Sequence, residues 1–223
     1  MTIKTTETMN NIIAINKPQG YTSHDVIARL RGILGVKKIG HAGTLDPMAT
    51  AVLVVAIGRE ATKQIATIVA KEKEYIAEVT FGATSDTDDA DGQLIIREVP
   101  AVLPTIDDIK ALLPSFIGTV KQRPPAYSAL KIKGKRAYAL ARAGKVIEME
   151  PREVIIKDIE VINYAWPQLQ LRIVTGPGVY IRAIARDIGE WLGVGAHLTK
   201  LQRTRVGEYR IDDAKEIDEI RTG

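Results

Sequence analysis

The chain has 223 residues, a formal net charge of +4, 45% hydrophobic and 26% charged residues. That balance suits one domain of ordinary to large size with a real core, and it excludes wholesale disorder. Cysteine is missing from the sequence, which excludes disulfides and thiolate metal sites and suits a reducing cytoplasm.

Residues 1–10, MTIKTTETMN, are polar and lack the apolar segment of a secretory signal. They read as a short disordered tail, with Met9 as an alternative start. IIAIN (Ile12–Asn16) reads as the first strand, closed by the turn KPQG (Lys17–Gly20). The following TSHDVIARLRGIL sets Val26, Ile27, Leu30, Ile33 and Leu34 on one helical face, with Thr22 or Ser23 as the cap. After the loop GHAGTLDP (Gly40–Pro47) comes MATAVLVVAIG (Met48–Gly58), a buried strand or helix segment that periodicity does not resolve. It is well short of the roughly 18 residues of a membrane span.

ATKQIATIVA suggests a short helix with Ile65, Ile68 and Val69 inward, and EYIAEVTFG alternates with Tyr75, Ala77, Val79 and Phe81 on one side. Thr105 and Asp108 stand at capping-box spacing before a helix in TIDDIKALLPSF. VIIKDIEVI and LQLRIV alternate as strands. VYIRAIARDIGEWLG carries a helical stripe of Ile181, Ile184, Ala185, Ile188 and Leu192, and DDAKEIDEI reads as a terminal helix. Antiparallel-looking strands mixed with helices give an α+β expectation: a mixed, mostly antiparallel central sheet flanked by helices.

Charge is unevenly placed. Lys121–Lys145 holds eight Lys or Arg and no acid, with Tyr127 and Tyr138 between them. Clustered cations interleaved with aromatics suit a phosphate backbone with bases to stack on; a solvated helix face is the plainer alternative. The acidic run TSDTDDADG mimics a calcium loop if Gly92 is position six. Position one is then Thr87, and the flanks look like strand, so a solvated loop is the better reading. No histidine pair has zinc-ligand spacing, no Gly-Lys-Ser/Thr occurs, and there is no nucleophile elbow.

A carboxylate is what remains for covalent chemistry. It can attack an electrophilic sugar carbon, and a nucleobase leaving group spreads its charge over its own carbonyls, so one aspartate is enough. Asp46 in GHAGTLDP is either that group or a turn residue before proline; the octapeptide alone leaves both open.

A set of motifs narrows the choice. GHAGTLDPMATAVLVVAIGREATK (Gly40–Lys63) closely resembles the catalytic motif of the pseudouridine synthase B (TruB) family, which modifies uridine 55 in the T loop of tRNA. NKPQGYTSHDV is similar to the family's Lys-Pro-x-Gly opening, KEKEY to its Lys-x-Tyr element, and TSDTDDADG to its acidic loop. PPAYSALKIKGKRAY resembles its RNA-gripping insertion (about residues 121–151) and GVYIRAIARDIGEWLGVGAHLTKLQRTRVG its last catalytic block. The motifs run in order over about residues 11–210. Two departures stand out. Gly176-Pro177-Gly178 replaces the usual Ser/Cys-Lys-Gly, and the chain ends soon after the catalytic block, so a catalytic domain over 11–223 without a C-terminal PUA domain is expected.

The resemblance implies a pseudouridine synthase fold with an RNA-binding cleft and a cofactor-free isomerisation at Asp46, the catalytic carboxylate. Attack on the sugar carbon and deprotonation of its neighbour to a glycal both fit. Arg182 is implied as the ion-pair partner of Asp46. Tyr75 is implied to stack on the flipped base and accept the proton from carbon five, against a plain core tyrosine. His41 would fill the space the base leaves, Tyr180 would close the other side of the pocket, and Leu201 would form an apolar wall. Lys17 and Pro18 would support the loop. Lys131, Lys133, Lys135 and Arg136 would grip tRNA phosphates, so their loss should weaken binding and flatten its salt dependence. Expected partners are tRNA through its T arm, with no cofactor, metal or membrane, for a monomer acting in the cytoplasm. A synthase for another uridine, a guide-dependent relative and a non-catalytic tRNA-folding chaperone are the alternatives.

Overall fold

The computed structural model describes residues 11–128, 130–132, 134–143 and 149–221. The expected tail at 1–10 lies outside them, as does Lys133. Strand β1 (Asn11–Lys17) leads to helix α1 (Ser23–Leu34). Of the two candidate caps it is Thr22 that acts: its hydroxyl accepts from the Asp25 amide at 3.1 Å, and the Asp25 carboxylate accepts from the Thr22 amide at 2.8 Å. Gly35, at φ 66°, ends the helix in the left-handed region that glycine tolerates best.

Next come β2 (Ile39–His41) and β3 (Thr50–Ile57). The ambiguous apolar run is therefore a strand, buried on both faces from Ala51 to Ile57, which is why it lacks alternation. The single short helix expected next is two, α2 (Arg59–Lys63) and α3 (Ile65–Val69), interrupted at Gln64. Ile65, Ile68 and Val69 nonetheless pack inward against Val52, Val54 and Val206. Strand β4 (Lys73–Phe81) alternates as its sequence requires.

The chain continues through β5 (Ala83–Ser85), β6 (Leu94–Ile96) and α4 (Ile106–Leu112), the last opened by the Thr105–Asp108 capping box. Then follow β7 (Gly118–Gln122), β8 (Lys131–Ile132), β9 (Lys135–Arg136), α5 (Ala137–Arg142), β10 (Arg152–Ala165) and β11 (Gln168–Thr175). Helix α6 (Ile181–Trp191), β12 (Ala196–Val206) and β13 (Tyr209–Arg210) complete the series. The expected terminal helix is corrected to two 3-10 turns, Ile211–Asp213 and Ile217–Glu219. Between them Lys215 pairs through its backbone with Ala14 and Asn16, and buried Ile217 and Ile220 anchor the turns, so extended pairing displaces a helix with too few apolar positions for a stripe.

The described residues divide into two compact units, with boundaries at Ile76/Ala77 inside β4 and Lys200/Leu201 inside β12. In the first unit β3 is central. It pairs antiparallel with β1, where Ile15 faces Leu53, and with β2, and it pairs in parallel with the end of β12, where Arg203 faces Ala51. Helix α1 buries Val26, Ile27 and Leu30. In the second unit β10 pairs antiparallel with both β11 and β7, and Leu169, Leu171 and Ile173 are fully buried. The architecture is thus mixed α/β with a mostly antiparallel mixed sheet. No described helix is long and apolar enough to cross a membrane.

Candidate active site

In the first unit, the loop carrying Asp46 is fixed from several directions. Ala42 donates its amide to the Val54 carbonyl at 2.9 Å, and Leu45 donates to the Ser23 hydroxyl at 3.0 Å. Beyond the aspartate, Ala49 closes a turn onto the Asp46 carbonyl at 3.1 Å, and Gly20 donates to the Pro47 carbonyl at 2.8 Å. The sequence explains each tie: the KPQG turn, the helix start at Ser23 and the Pro47 break all converge on Asp46, which is half-buried.

Lys17 sits beneath this junction, fully buried, and donates from Nζ to the carbonyls of Tyr21 at 2.5 Å, Pro18 at 3.0 Å and Pro47 at 3.3 Å. Burial pulls its ammonium down to about 8, while the negative charges of Asp46 and Asp25 oppose that pull. His41 is half-buried at the start of the loop; burial lowers its imidazole below the usual range, so it is neutral at neutral pH, and its buried Nδ1 has no hydrogen-bond partner among the described residues.

Tyr75 is buried on β4, where the Arg203 guanidinium on β12 acts on its phenol electrostatically. Arg203 is 1% exposed and donates through Nε and Nη2 to the Val52 carbonyl at 3.0 and 2.8 Å. Burial pushes the Tyr75 phenol up, and the guanidinium opposes it. Lys73, two residues before Tyr75, is buried and donates to the carbonyls of Val69 and Lys71 at 2.7 and 2.6 Å, with its ammonium also lowered to about 8 by burial. Leu201 is buried two residues before Arg203. Asp46, Tyr75, His41 and Leu201 therefore share one unit, surrounded by cations whose hydrogen bonds go largely to backbone carbonyls.

The second unit holds the other expected residues. Tyr180, half-buried, precedes α6 and is held by the Gln122 side chain, which accepts from its amide at 2.9 Å and donates to its carbonyl at 3.1 Å. Arg182 is buried and donates to the carbonyls of Thr87 at 2.7 Å and Tyr127 at 3.1 Å, and it pairs with Asp89 at 3.1 Å. One turn on, Arg186 pairs with Asp88 at 2.7 Å and with Asp187, and donates to the Arg123 carbonyl at 2.8 Å. Asp88 takes the left-handed backbone conformation, φ 63°, that presents its carboxylate to Arg186, and burial raises its carboxyl against the pull of that arginine. The acidic loop TSDTDDADG is thus an arginine clamp with two buried ion pairs.

Several of these residues were not singled out from the sequence. Asp89 and Asp88 lay within a run read as solvated loop, Lys73 within KEKEY, and Arg203 within KLQRTRVG. The signal available for Arg203 was its place on the inward side of an alternating strand, two residues after Leu201. Lys131, Lys135 and Arg136 fall on the paired strands β8 and β9, where Lys131 faces Arg136; their side chains, like all of Lys133, lie outside the described set.

Residues 31–181 match the N-terminal domain of TruB family pseudouridylate synthases, and residues 182–222 match the tRNA pseudouridylate synthase B C-terminal domain. A tRNA pseudouridine synthase B from Thermobifida fusca (strain YX) is 42% identical over 221 residues, covering 95% of this chain and 74% of that protein. One from Protochlamydia amoebophila (strain UWE25) is 44% identical over 214 residues, covering 96% and 80%. Among solved structures, a Cbf5–Nop10–Gar1 complex aligns with TM-score 0.71 and 30% identity over 95% of this chain. An H/ACA ribonucleoprotein bound to a substrate RNA containing 2'-deoxyuridine aligns with TM-score 0.68 and 28% identity, also over 95%. The chain spans about half the length of those two solved chains, 54% and 52%.

Proposed function

The chain belongs to the TruB family of pseudouridylate synthases, isomerases that act on uridine in tRNA, and from that premise we propose that it converts uridine 55 of the tRNA T loop to pseudouridine, with Asp46 as the catalytic carboxylate. The observation that carries this is the Asp46 loop itself. A half-buried carboxylate is fixed on both sides by backbone ties, and the fully buried cation Lys17 lies within reach of its charge. A turn residue would not need a buried ammonium beneath it, whereas a group that must stay ionised in a water-poor pocket does.

The reaction is an isomerisation, so no electrons enter or leave. A uridine in a folded loop is stacked and must first be flipped out, at a cost of a few kcal/mol. His41, neutral and near the loop, is assigned to the vacated space. The ionised Asp46 carboxylate breaks the bond between nitrogen one and the sugar. The freed uracil turns in the pocket, and carbon five bonds to the sugar in place of nitrogen. Tyr75 stacks on the base and takes the proton from carbon five. Leu201 is assigned to an apolar pocket wall, Arg182 to a catalytic and Tyr180 to a substrate-binding role, and Lys131, Lys133, Lys135 and Arg136 to the phosphates of the T arm. The enzyme acts as a monomer, without a cofactor.

The test is incubation of the protein with an unmodified tRNA transcript, followed by chemical mapping of pseudouridine at single-nucleotide resolution. Product confined to the T-loop uridine is expected. Product at another uridine overturns the assigned position, and RNA binding without product favours the chaperone.

A further inference from the structure

Helix α6 carries a buried arginine, Arg186, that the proposed reaction does not use. Arg186 and its counter-ion Asp88 are each 8% exposed and lie 2.7 Å apart. Taking such a pair out of water is costly, and apolar residues of the same volume often serve stability as well or better, so stability alone does not account for it. The backbone adds to the cost, because Asp88 holds φ 63°, a conformation that glycine takes with less strain. What the pair does have is a third partner. Arg186 donates through Nη2 to the Arg123 carbonyl at 2.8 Å. One turn earlier Arg182 repeats the pattern, pairing with Asp89 and donating to the Tyr127 carbonyl at 3.1 Å.

Both carbonyls belong to one short segment, residues 122–128, with Pro124 and Pro125 buried at its middle. Two prolines have no N–H, so a backbone ladder cannot run through them, and the segment is held by carbonyls that take donors from side chains. Arginine suits this task because its fork reaches a carboxylate and a carbonyl at once. The acidic loop is fixed in turn: Leu198 donates to the Asp88 carbonyl at 3.0 Å, and Ala90 donates to the Leu198 carbonyl at 2.9 Å. Directly after the segment comes the β8–β9 hairpin, where the cations assigned to tRNA phosphates fall, and Tyr138 donates back to the Ser128 carbonyl at 3.0 Å. Residues 122–128 are therefore the root of that hairpin.

We propose that Arg186, held by Asp88, is a positioning residue for tRNA binding: it locks the root of the basic hairpin to α6, so that the cations beyond it meet the RNA already arranged. Its own charge is met inside the protein by Asp88 and Asp187, which leaves none for a phosphate. A hairpin with a loose root carries the same cations but loses more freedom on binding, and that costs affinity. The inference rests on the reading above only in taking tRNA as the ligand of the basic run.

The experiment compares wild type with Arg186→Met and with the double variant Asp88→Asn/Arg186→Met. The double variant leaves no unpaired buried charge, keeps a residue type that tolerates φ 63°, and decides the matter if the single variant does not fold. Affinity for an unmodified tRNA transcript is measured at several salt concentrations, beside single-turnover product formation at saturating tRNA, thermal unfolding and amide hydrogen exchange. Affinity is expected to fall about tenfold, with the rate at saturation within about twofold of the wild type. The salt dependence is expected to keep its slope, because no phosphate contact is removed. Exchange at Ala137 and Tyr138 is expected to quicken while that of β10 and β11 does not. Affinity within about twofold of the wild type overturns the assignment, as does a loss confined to the saturated rate. A slope flattened by about one overturns it by making Arg186 a phosphate ligand. A lower unfolding temperature with faster exchange throughout is a structural defect only and overturns it too. A wild type that binds tRNA without making pseudouridine overturns the reaction proposed above and leaves this assignment standing; one that does not bind tRNA overturns both.

Discussion

A lysine ammonium has three N–H donors, and at Lys17 three backbone carbonyls, of Pro18, Tyr21 and Pro47, accept from one. A neutral amine has only two, so deprotonation releases one tie and removes the positive charge beside Asp46. With the ammonium lowered to about 8 by burial, product formation is expected to decline as pH rises through about 8; Lys73, lowered to about 8 in the same way, adds to the decline. Stability goes the other way. The folded value lies below the unfolded 10.5, so between about 8 and 10.5 the unfolded chain binds more protons and this group's contribution to stability grows with pH. A single-turnover pH–rate profile recorded beside thermal unfolding separates the two. Falling activity without a matching fall in unfolding temperature is expected, and a rate that stays flat well above pH 8 would contradict the role given to Lys17.

At the scale of elements, the loop between β2 and β3 needs glycine at position 43, which takes φ +91° and where a Cβ would lie 3.3 Å from Arg203 Nη1 and 3.9 Å from Lys73 Cε. Gly43→Ala is expected to lower stability by about 1 kcal/mol, from a backbone region that disfavours a Cβ, and to reduce activity more than that loss implies, since the added methyl presses on the Arg203 fork. Thermal unfolding and a rate measured well below the unfolding temperature check both parts. Elements with a local signature were readable in advance. The Thr22 and Thr105 capping boxes and the alternation of β4 follow from hydrogen-bond chemistry and pleat within a few residues. What depends on distant partners was not. Strand β3 is buried on both faces, which erases its periodicity, and the terminal turns are set by pairing of Lys215 with β1, 200 residues earlier in sequence. Arg203 is the same lesson in one residue. Its inward place on the strand could be read, but a buried charge there is explained only once the Val52 carbonyl is known to accept from it. Asp89 reads as loop until Arg182 is known to reach it.

For the whole molecule, the sequence placed Asp46, Tyr75, Arg182 and Tyr180 by motif, and the fold distributes them as Asp46 and Tyr75 in one unit, Arg182 and Tyr180 in the other. In the function proposed above, the chemistry and the grip on RNA fall to different segments: the carboxylate to the loop at 42–49, the cations to the basic run at 121–145, which has no acid of its own. Binding and catalysis should therefore separate cleanly on removing one charge. Asp46→Asn preserves the shape of the loop, whose ties at Leu45, Pro47 and Ala49 are made by backbone atoms. The direct measurement is pseudouridine formation at the T-loop uridine by wild type and Asp46→Asn, alongside the tRNA affinity and unfolding temperature of each. The variant is expected to bind tRNA within about threefold of the wild type and to make product at least about 10,000-fold more slowly. A folded Asp46→Asn protein that still forms pseudouridine at a rate near that of the wild type would contradict the account.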